Sequence, residues 1–350
     1  MIAFSKRIFG TTTHLLYDNG FRWSTEIPKE AWVYGEMHPY SISNYLDTWH
    51  LKLPRLVEKK YRRMAEVLGI QNPPWNELLG SKFKGGFNRL FHILKYEISQ
   101  KENDSYVNVY RECQDFLWSL KEPSIDIIRY NSLKAMGSNL STFRVKNSKL
   151  PVVRYNRQTK TGRLKVMSGP SVLTLKSEHR NMLLDCRQVD FQNMEPRLLL
   201  AFLGKTVDGD LYENIQKDLG LNGDRSYIKL SIISSLYGSR VVPEISEYFA
   251  IEAWIEELEA NVKDGWIRNY FERPIKVEDI KGHHLLSLWL QSSAADASLL
   301  GFSKLFKDNY KLKPHWVIHD ACIFSGSGSI PKYLEITKDI RLPIVCTEIK

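Results

Sequence analysis

Residues 1–42 carry their apolar positions in short β-like pieces such as "AWVYG", aromatic-rich and punctuated by glycine. From 43 to 68 the apolar spacing turns helical and stops at Gly69, with Pro54 marking a bend or an early turn of a second helix. "NPPWNELLGSKFKGG" then reads as a loop with basic residues. Helical spacing returns over about 85–99, 104–121 and 124–140, a region with many Lys and Arg.

The rhythm changes at "FRVKNSKLPVVRYNRQTKTGRLKVM", whose β-branched residues and turns predict strands. "RQVDFQNMEPR", residues 187–197, reads as the end of a strand running into a helix. Helices are predicted over about 195–203, 209–218, 224–237, 243–263 and 284–308. The chain closes with "HWVIHDACIF", an apolar run broken by His-Asp, then a Gly-Ser turn and one more helix or strand. There is no internal repeat and no low-complexity tract. Helices, strands, helices, strands predict an α+β fold in which elements distant in sequence return to one sheet.

With 350 residues, 43% of them hydrophobic, the chain can build a sizeable core in one large domain or a few interlocked subdomains. A net charge of +9 favours polyanion partners, nucleic acid or an anionic membrane surface. Cys113, Cys186, Cys322 and Cys346 have neither metal-ligand spacing nor the density of a disulfide framework, which implies a reducing compartment. The N-terminus lacks an apolar run long enough for a signal peptide, and no segment approaches about 20 apolar residues. The expectation is a soluble cytoplasmic protein with no membrane partner.

Four stretches carry candidate chemistry. In "DRSYIKLSIISSLYGSR", Arg225, Lys229, Ile233 and Tyr237 follow at intervals of four and form one slanting stripe on a helix. Asp224 suits the N-cap and Gly238 the C-terminal stop. Two cations, an aliphatic residue and an aromatic can hold a polyphosphate, cover a base and stack at its far end. A surface helix with solvated cations has the same spacing. In "VIHDACIF", a tight turn at His319-Asp320 would present Asp320 at a hairpin tip. If that hairpin neighbours the strand ending at Asp190, two carboxylates converge. They repel unless a cation neutralises them, and hard oxygen ligands select Mg²⁺. In "TKTGRL", Arg163 leaves a turn where it can reach a minor groove or pair with Glu195, and Gln291 starts "LQSSAADASLL", a helical stretch lined with small residues.

The order of these pieces resembles the family A DNA polymerases, the group of bacterial DNA polymerase I and the phage replicative enzymes. "TGRL" is similar to that family's Thr-Gly-Arg element, and "DFQNMEPR" resembles motif A, usually D-Y-S-Q-I-E-L-R. "RSYIKLSIISSLYG" resembles motif B with its spacing kept, "LQSSAAD" resembles Q-G-T-A-A-D, and "VIHDA" resembles motif C, V-H-D-E. Upstream, "IIRYNSLKAMGSNLSTF" is similar to a thumb segment. The five later matches fall in the right order across about 155–325.

The resemblance implies a right-hand architecture of palm, fingers and thumb. Residues 1–42 would open the palm, 43–145 form a helical thumb, 146–200 and 284–350 continue the palm, and 201–283 form trimmed fingers. It implies a template-directed DNA polymerase for replication or repair, using primer-template DNA, dNTPs and two Mg²⁺ ions for which Mn²⁺ can substitute. Asp190 and Asp320 would bind the metals, and Glu195 would be the gate that rejects a ribose 2′-OH. Arg225 and Lys229 would hold the triphosphate, Ile233 would take the motif B aromatic position, and Tyr237 would stand by the template base. Arg163, Gln291, His319 and Lys134 would contact DNA. The length before the Thr-Gly-Arg element leaves no room for a 3′–5′ exonuclease, so no proofreading is expected.

Several positions depart from the pattern. Phe191 replaces a tyrosine whose hydroxyl usually bonds the gate glutamate, Ile233 replaces an aromatic, and Ala321 replaces the acid after the motif C aspartate. The histidine of a triphosphate-binding element becomes Tyr212. A single-subunit RNA polymerase or primer-making enzyme shares part of motif B, and a non-catalytic nucleic-acid-binding relative could keep the fold.

Overall fold

A computed structural model describes residues 1–54, 56, 67–69 and 81–349. They form a mixed α/β structure of helices and mostly antiparallel sheets, in two compact units, Met1–Gln114 and Asp115–Lys350.

In the first unit, β1 (Ile2–Phe4), β2 (His14–Tyr17), β3 (Phe21–Ser24) and β4 (Trp32–Tyr34) form a sheet in the order β3-β2-β1-β4. The expected opening of a palm is therefore a four-stranded sheet of its own. Its core is aromatic: Phe4 packs on Phe87 at 4.9 Å between ring centres, and Trp32 stacks on Tyr45 at 4.6 Å. Phe87 belongs to the Ser81–Lys101 helix, whose buried Phe83, Phe87, Leu90, Leu94 and Ile98 keep a helical spacing. Phe83 extends that stripe backwards, so "SKFKGG" is helical and not the end of a loop. Of the helix expected over 43–68, Ile42–Asp47 is observed, residues 48–54 are turn and irregular chain, and residues 55 and 57–66 lie outside the described residues.

The second unit is built on a five-stranded antiparallel sheet ordered β10-β11-β7-β13-β12. Its strands are β7 (Cys186–Phe191), β10 (Lys313–Ile318), β11 (Ala321–Ser325), β12 (Tyr333–Glu335) and β13 (Arg341–Glu348). Elements more than a hundred residues apart thus share one sheet, and the last segment of the chain supplies two strands. Trp266–Arg268 (β8) and Pro274–Lys276 (β9) form a two-stranded pair, and the 143–167 stretch yields only short strands, Arg154–Asn156 (β5) paired with Lys165–Ser168 (β6). Tyr155 ties this hairpin to the large sheet, its hydroxyl accepting from the Val317 N–H at 3.0 Å and donating to the Val317 carbonyl at 2.8 Å.

The Gly282–Asp308 helix packs against the sheet. Phe302 meets Phe191 at 5.2 Å, and a Cβ on Gly301 would sit 2.8 Å from the Phe191 ring, so the helix needs glycine there. A second core gathers the helices Met194–Phe202, Leu211–Leu219, Arg225–Tyr237, Ile251–Ala260 and the first half of Gly282–Asp308 around Leu199, Ile215, Ile232 and Leu286. The helix expected over 243–263 is two helices, Pro243–Tyr248 and Ile251–Ala260, broken where Ala250 adopts a φ of 50°. Among the described residues no helix is long and apolar enough to cross a membrane.

Candidate active site

Asp190 is the penultimate residue of β7, the central strand, and pairs in register with Ala321, the first residue of β11. β10 and β11 are joined by His319-Asp320 alone, with Ile318 opposite Ala321. His319 takes a φ of 56°, the left-handed geometry that two-residue hairpins demand. The Phe191 N–H donates to the Asp320 carbonyl at 3.2 Å, which fixes the hairpin tip beside the end of β7. Two acids about 130 residues apart are thereby neighbours.

Their ionisation reports the proximity. Burial, then the facing Asp320 charge, push Asp190 up to about 6 from an ordinary 3.8, against the opposing pull of Gln188 and Arg180. Burial also raises Asp320, offset in part by a backbone N–H, His319 and Arg163. Two half-buried carboxylates form a hard-oxygen donor set that fits a divalent cation such as Mg²⁺. Among the described residues no group of three or more His, Cys, Asp and Glu could hold a metal by itself, so a cation here would take its remaining ligands from substrate and water.

This electrostatic cost predicts a pH dependence in metal-free protein. A carboxylate whose folded pKa exceeds its unfolded value makes its full contribution to stability below about pH 4 and loses it as pH rises through about 6. Two units correspond to roughly 3 kcal/mol at most, and partial exposure reduces this to about 1–2 kcal/mol. In urea melts with a chelator, Asp190→Asn should therefore match wild type near pH 4 and exceed it near pH 8. Equal midpoints at both pH values would refute the raised pKa.

A cavity of about 520 Å³ opens beside the acids and is lined by Arg163, Glu195, Tyr212, Lys229, Ile233, Gln291, His319 and Asp320, among others. Glu195 lies in the first turn of the Met194–Phe202 helix, where the helix dipole favours a carboxylate and the missing N–H of Pro196 costs little. Both its oxygens are occupied. Arg163 Nη2 donates to Oε1 at 2.9 Å, and the Tyr237 hydroxyl donates to Oε2. Burial and the Glu195 charge raise the Tyr237 pKa, with Arg163 and Gln291 pulling the other way. The hydroxyl absent at Phe191 is thus supplied by Tyr237, and Phe191 itself is a core residue, 3% exposed. Tyr237 reaches the site through Glu195 and does not line the cavity.

Arg225 does not line the cavity either. Its Nη2 lies 2.7 Å from Asp210 Oδ2, and its guanidinium stands over the Tyr212 ring. Asp210 also caps the Leu211–Leu219 helix. Arg197, buried in the Met194–Phe202 helix, holds the loop between that helix and Leu211–Leu219 through the Val207 and Gly209 carbonyls. On the Arg225–Tyr237 helix, Asp224 caps the start by accepting from the Tyr227 N–H at 2.7 Å, and Gly238 closes the end at a φ of 72°. Gln291 sits within the Gly282–Asp308 helix, not at its start, and donates to Ser287 Oγ at 3.0 Å. Lys134 is exposed on the Ile127–Ala135 helix and does not line the cavity.

Sequence reasoning missed a buried network beneath the Thr-Gly-Arg turn. Asp296, fully buried, accepts from Arg157 and, at 2.8 Å, from Asn269 Nδ2. Asn269 Oδ1 in turn accepts from the Arg273 N–H at 2.8 Å. Arg273 is 1% exposed, and its Nη2 donates to the Arg157 carbonyl at 2.6 Å. The same guanidinium lies 2.9 Å from where a Cβ on Gly162 would stand, and Gly162 has a φ of 75°, so both space and conformation require glycine next to Arg163. Aspartate within a run of small helix residues is the one sequence signal of this network.

Comparisons with protein-family models and with curated proteins find no match. Among solved structures the chain is similar to the POL domain of Pol1 from M. smegmatis, solved in complex with DNA primer-template and dNTP. The likeness has a TM-score of 0.46 at 15% identity and covers 62% of this chain and 50% of that chain. The chain thus spans half the length of that solved domain.

Proposed function

We propose that this chain is a template-directed DNA polymerase of the family A kind, extending a primer 3′-OH with dNTPs. The observation that carries the reading is the meeting of Asp190 and Asp320 at one sheet end, beside a cavity shared with Glu195, Arg163 and Lys229. On this reading the five-stranded sheet belongs to the palm, residues 1–42, 146–200 and 284–350, with residues 201–283 as the fingers and 43–145 as the thumb.

Asp190 and Asp320 would hold the two Mg²⁺ ions. When bound, the metals lower the pKa of an attacking hydroxyl and steady the leaving oxygen. The remaining work falls to the side chains. Lys229 meets the triphosphate as a point charge in the cavity, and Ile233 supplies an apolar surface for the incoming base. Arg225 joins Lys229 on the same helix face, with Asp210 fixing its guanidinium. Arg163, Gln291 and His319 line the side from which the primer end approaches. Glu195, held at both oxygens, is a rigid wall against a 2′-hydroxyl, because a side chain pinned on two sides cannot turn away from the added atom.

Replacing Glu195 with Ala should raise ribonucleotide incorporation relative to deoxyribonucleotide about 10- to 200-fold, the range a single steric contact commands. Arg163→Gln should raise it less, since Tyr237 still holds Oε2. The measurement is kcat/KM for dNTPs against rNTPs on a defined primer-template. A wild-type preference for rNTPs would sink the gate reading and favour an RNA polymerase or primer-making enzyme.

A further inference from the structure

Asp190 is held from behind by two residues to which the proposed reaction gives no part. Gln188 precedes it by two on β7, so both side chains stand on one face of the sheet. Gln188 Nε2 donates to Asp190 Oδ2 at 3.3 Å. The other end of that amide is occupied as well, since Arg180 Nη1 donates to Gln188 Oε1 at 2.8 Å. An amide has one accepting end and one donating end. A guanidinium on the oxygen therefore leaves the NH₂ to face the carboxylate.

Arg180 stands on firm ground. It lies in the short 3₁₀ helix Ser177–Met182, which is tied to the neighbouring Ile127–Ala135 helix at two points. The Asp126 N–H donates to the Met182 carbonyl at 2.8 Å, and Arg129 Nη1 donates to the Asn181 carbonyl at 3.0 Å.

We propose that Arg180 and Gln188 are positioning residues. Through the Gln188 amide they anchor Oδ2 of Asp190 and leave its Oδ1 turned to the divalent cation. This rests on the reading of Asp190 and Asp320 as metal carboxylates. The neutral amide is what makes the arrangement work. An arginine bonded directly to Asp190 would orient it but would also compete with the metal for its charge. With one amide between them, the guanidinium stays a link away and the carboxylate keeps its charge for the cation. Outer-shell partners of this sort fix ligand geometry and are typically worth 10- to 100-fold in metal affinity.

The test is Mn²⁺ binding to the full-length, DNA-free protein, read from the electron paramagnetic resonance signal of free Mn²⁺, with thermal melting to confirm folding. Gln188→Met and Arg180→Met should each weaken Mn²⁺ binding about 10-fold or more without loss of the folded state. The double variant should be no weaker than the worse single one, because both act through one chain. Arg180→Lys, which still donates to Gln188, should recover most of the affinity. Wild-type Mn²⁺ affinity in the folded single variants, or an additive double variant, overturns the proposal. Asp190→Asn separates the two levels of the argument. If it abolishes binding while Gln188→Met does not, only the positioning role fails. If it binds Mn²⁺ like wild type, the metal-carboxylate reading fails and takes the positioning role with it.

Discussion

Asp190→Asn or Asp320→Asn should reduce primer extension at least a thousandfold while leaving the protein folded. Asparagine keeps the size of the side chain and most of its hydrogen bonding, so the hairpin tip and the end of β7 are undisturbed. What disappears is the negative charge that would attract a hard cation, and metal-derived stabilisation of a transition state is worth several kcal/mol. Each 1.36 kcal/mol is a factor of ten in rate, so a loss of about 10³ to 10⁵ follows from removing one of two carboxylates. The variants should fail even at high Mg²⁺, because asparagine is a poor ligand for it. The same substitution at Asp190 should stabilise the metal-free protein at neutral pH, since it removes a carboxylate that burial and Asp320 push up to about 6. Loss of activity with gain of stability is the mark of a charge kept for chemistry against the interest of the fold. Primer extension by Asp190→Asn at the wild-type rate would end the two-metal reading.

Asp296→Ala should be among the most destabilising single changes in the second unit, at about 3–5 kcal/mol. Asp296 is fully buried and answers the charge of Arg157, itself 3% exposed. Removing one member of a buried pair leaves the other charge uncompensated in a poor solvent for it, and that produces the large number. At roughly 2–4 °C per kcal/mol for a unit of this size, the melting temperature should fall by about 6–20 °C. Asp296→Asn should cost less, because it can still accept from Asn269. Urea and thermal melts of both variants decide this, and an alanine variant within about 1 kcal/mol of wild type would show that the pair is not energetically important. A functional trace should accompany the loss. The network runs through Asn269 and Arg273 to the Arg157 carbonyl and the Gly162 turn, so it sets the position of Arg163 as well as the stability of the unit.

Phe191 shows how the sequence can mislead. Compared with the family pattern it looked like a lost hydroxyl in the site. In the fold its ring lies on Gly301 against Phe302, and the hydroxyl on Glu195 comes from Tyr237, 42 residues away. Arg163 had two open destinies, a groove or Glu195, and its 2.9 Å contact with Glu195 selects the second in the protein alone. Arg225 was legible as a cation on a helical stripe, but its pairing with Asp210 was not, because Asp210 caps a different helix.

The sequence by itself determined what depends on neighbours along the chain. The helical stripe of residues 225–237 with its Asp224 and Gly238 ends, the two-residue turn that lifts Asp320 and the strand that carries Asp190 near its end follow from periodicity, capping and turn chemistry, all local. Only the tertiary structure decided which strands meet, that β13 completes the sheet around β7, and that β1–β4 form a sheet of their own. It also decided that the Glu195 oxygens are both taken, and that Gln188, Arg180 and the Asp296 network stand behind the site. The Arg180–Gln188 and Arg157–Asp296 contacts cross 8 and 139 residues, and the energy that selects such pairings is burial and the obligation of buried polar groups to find partners. That obligation acts between surfaces brought together by the whole core, so no local window of sequence contains it.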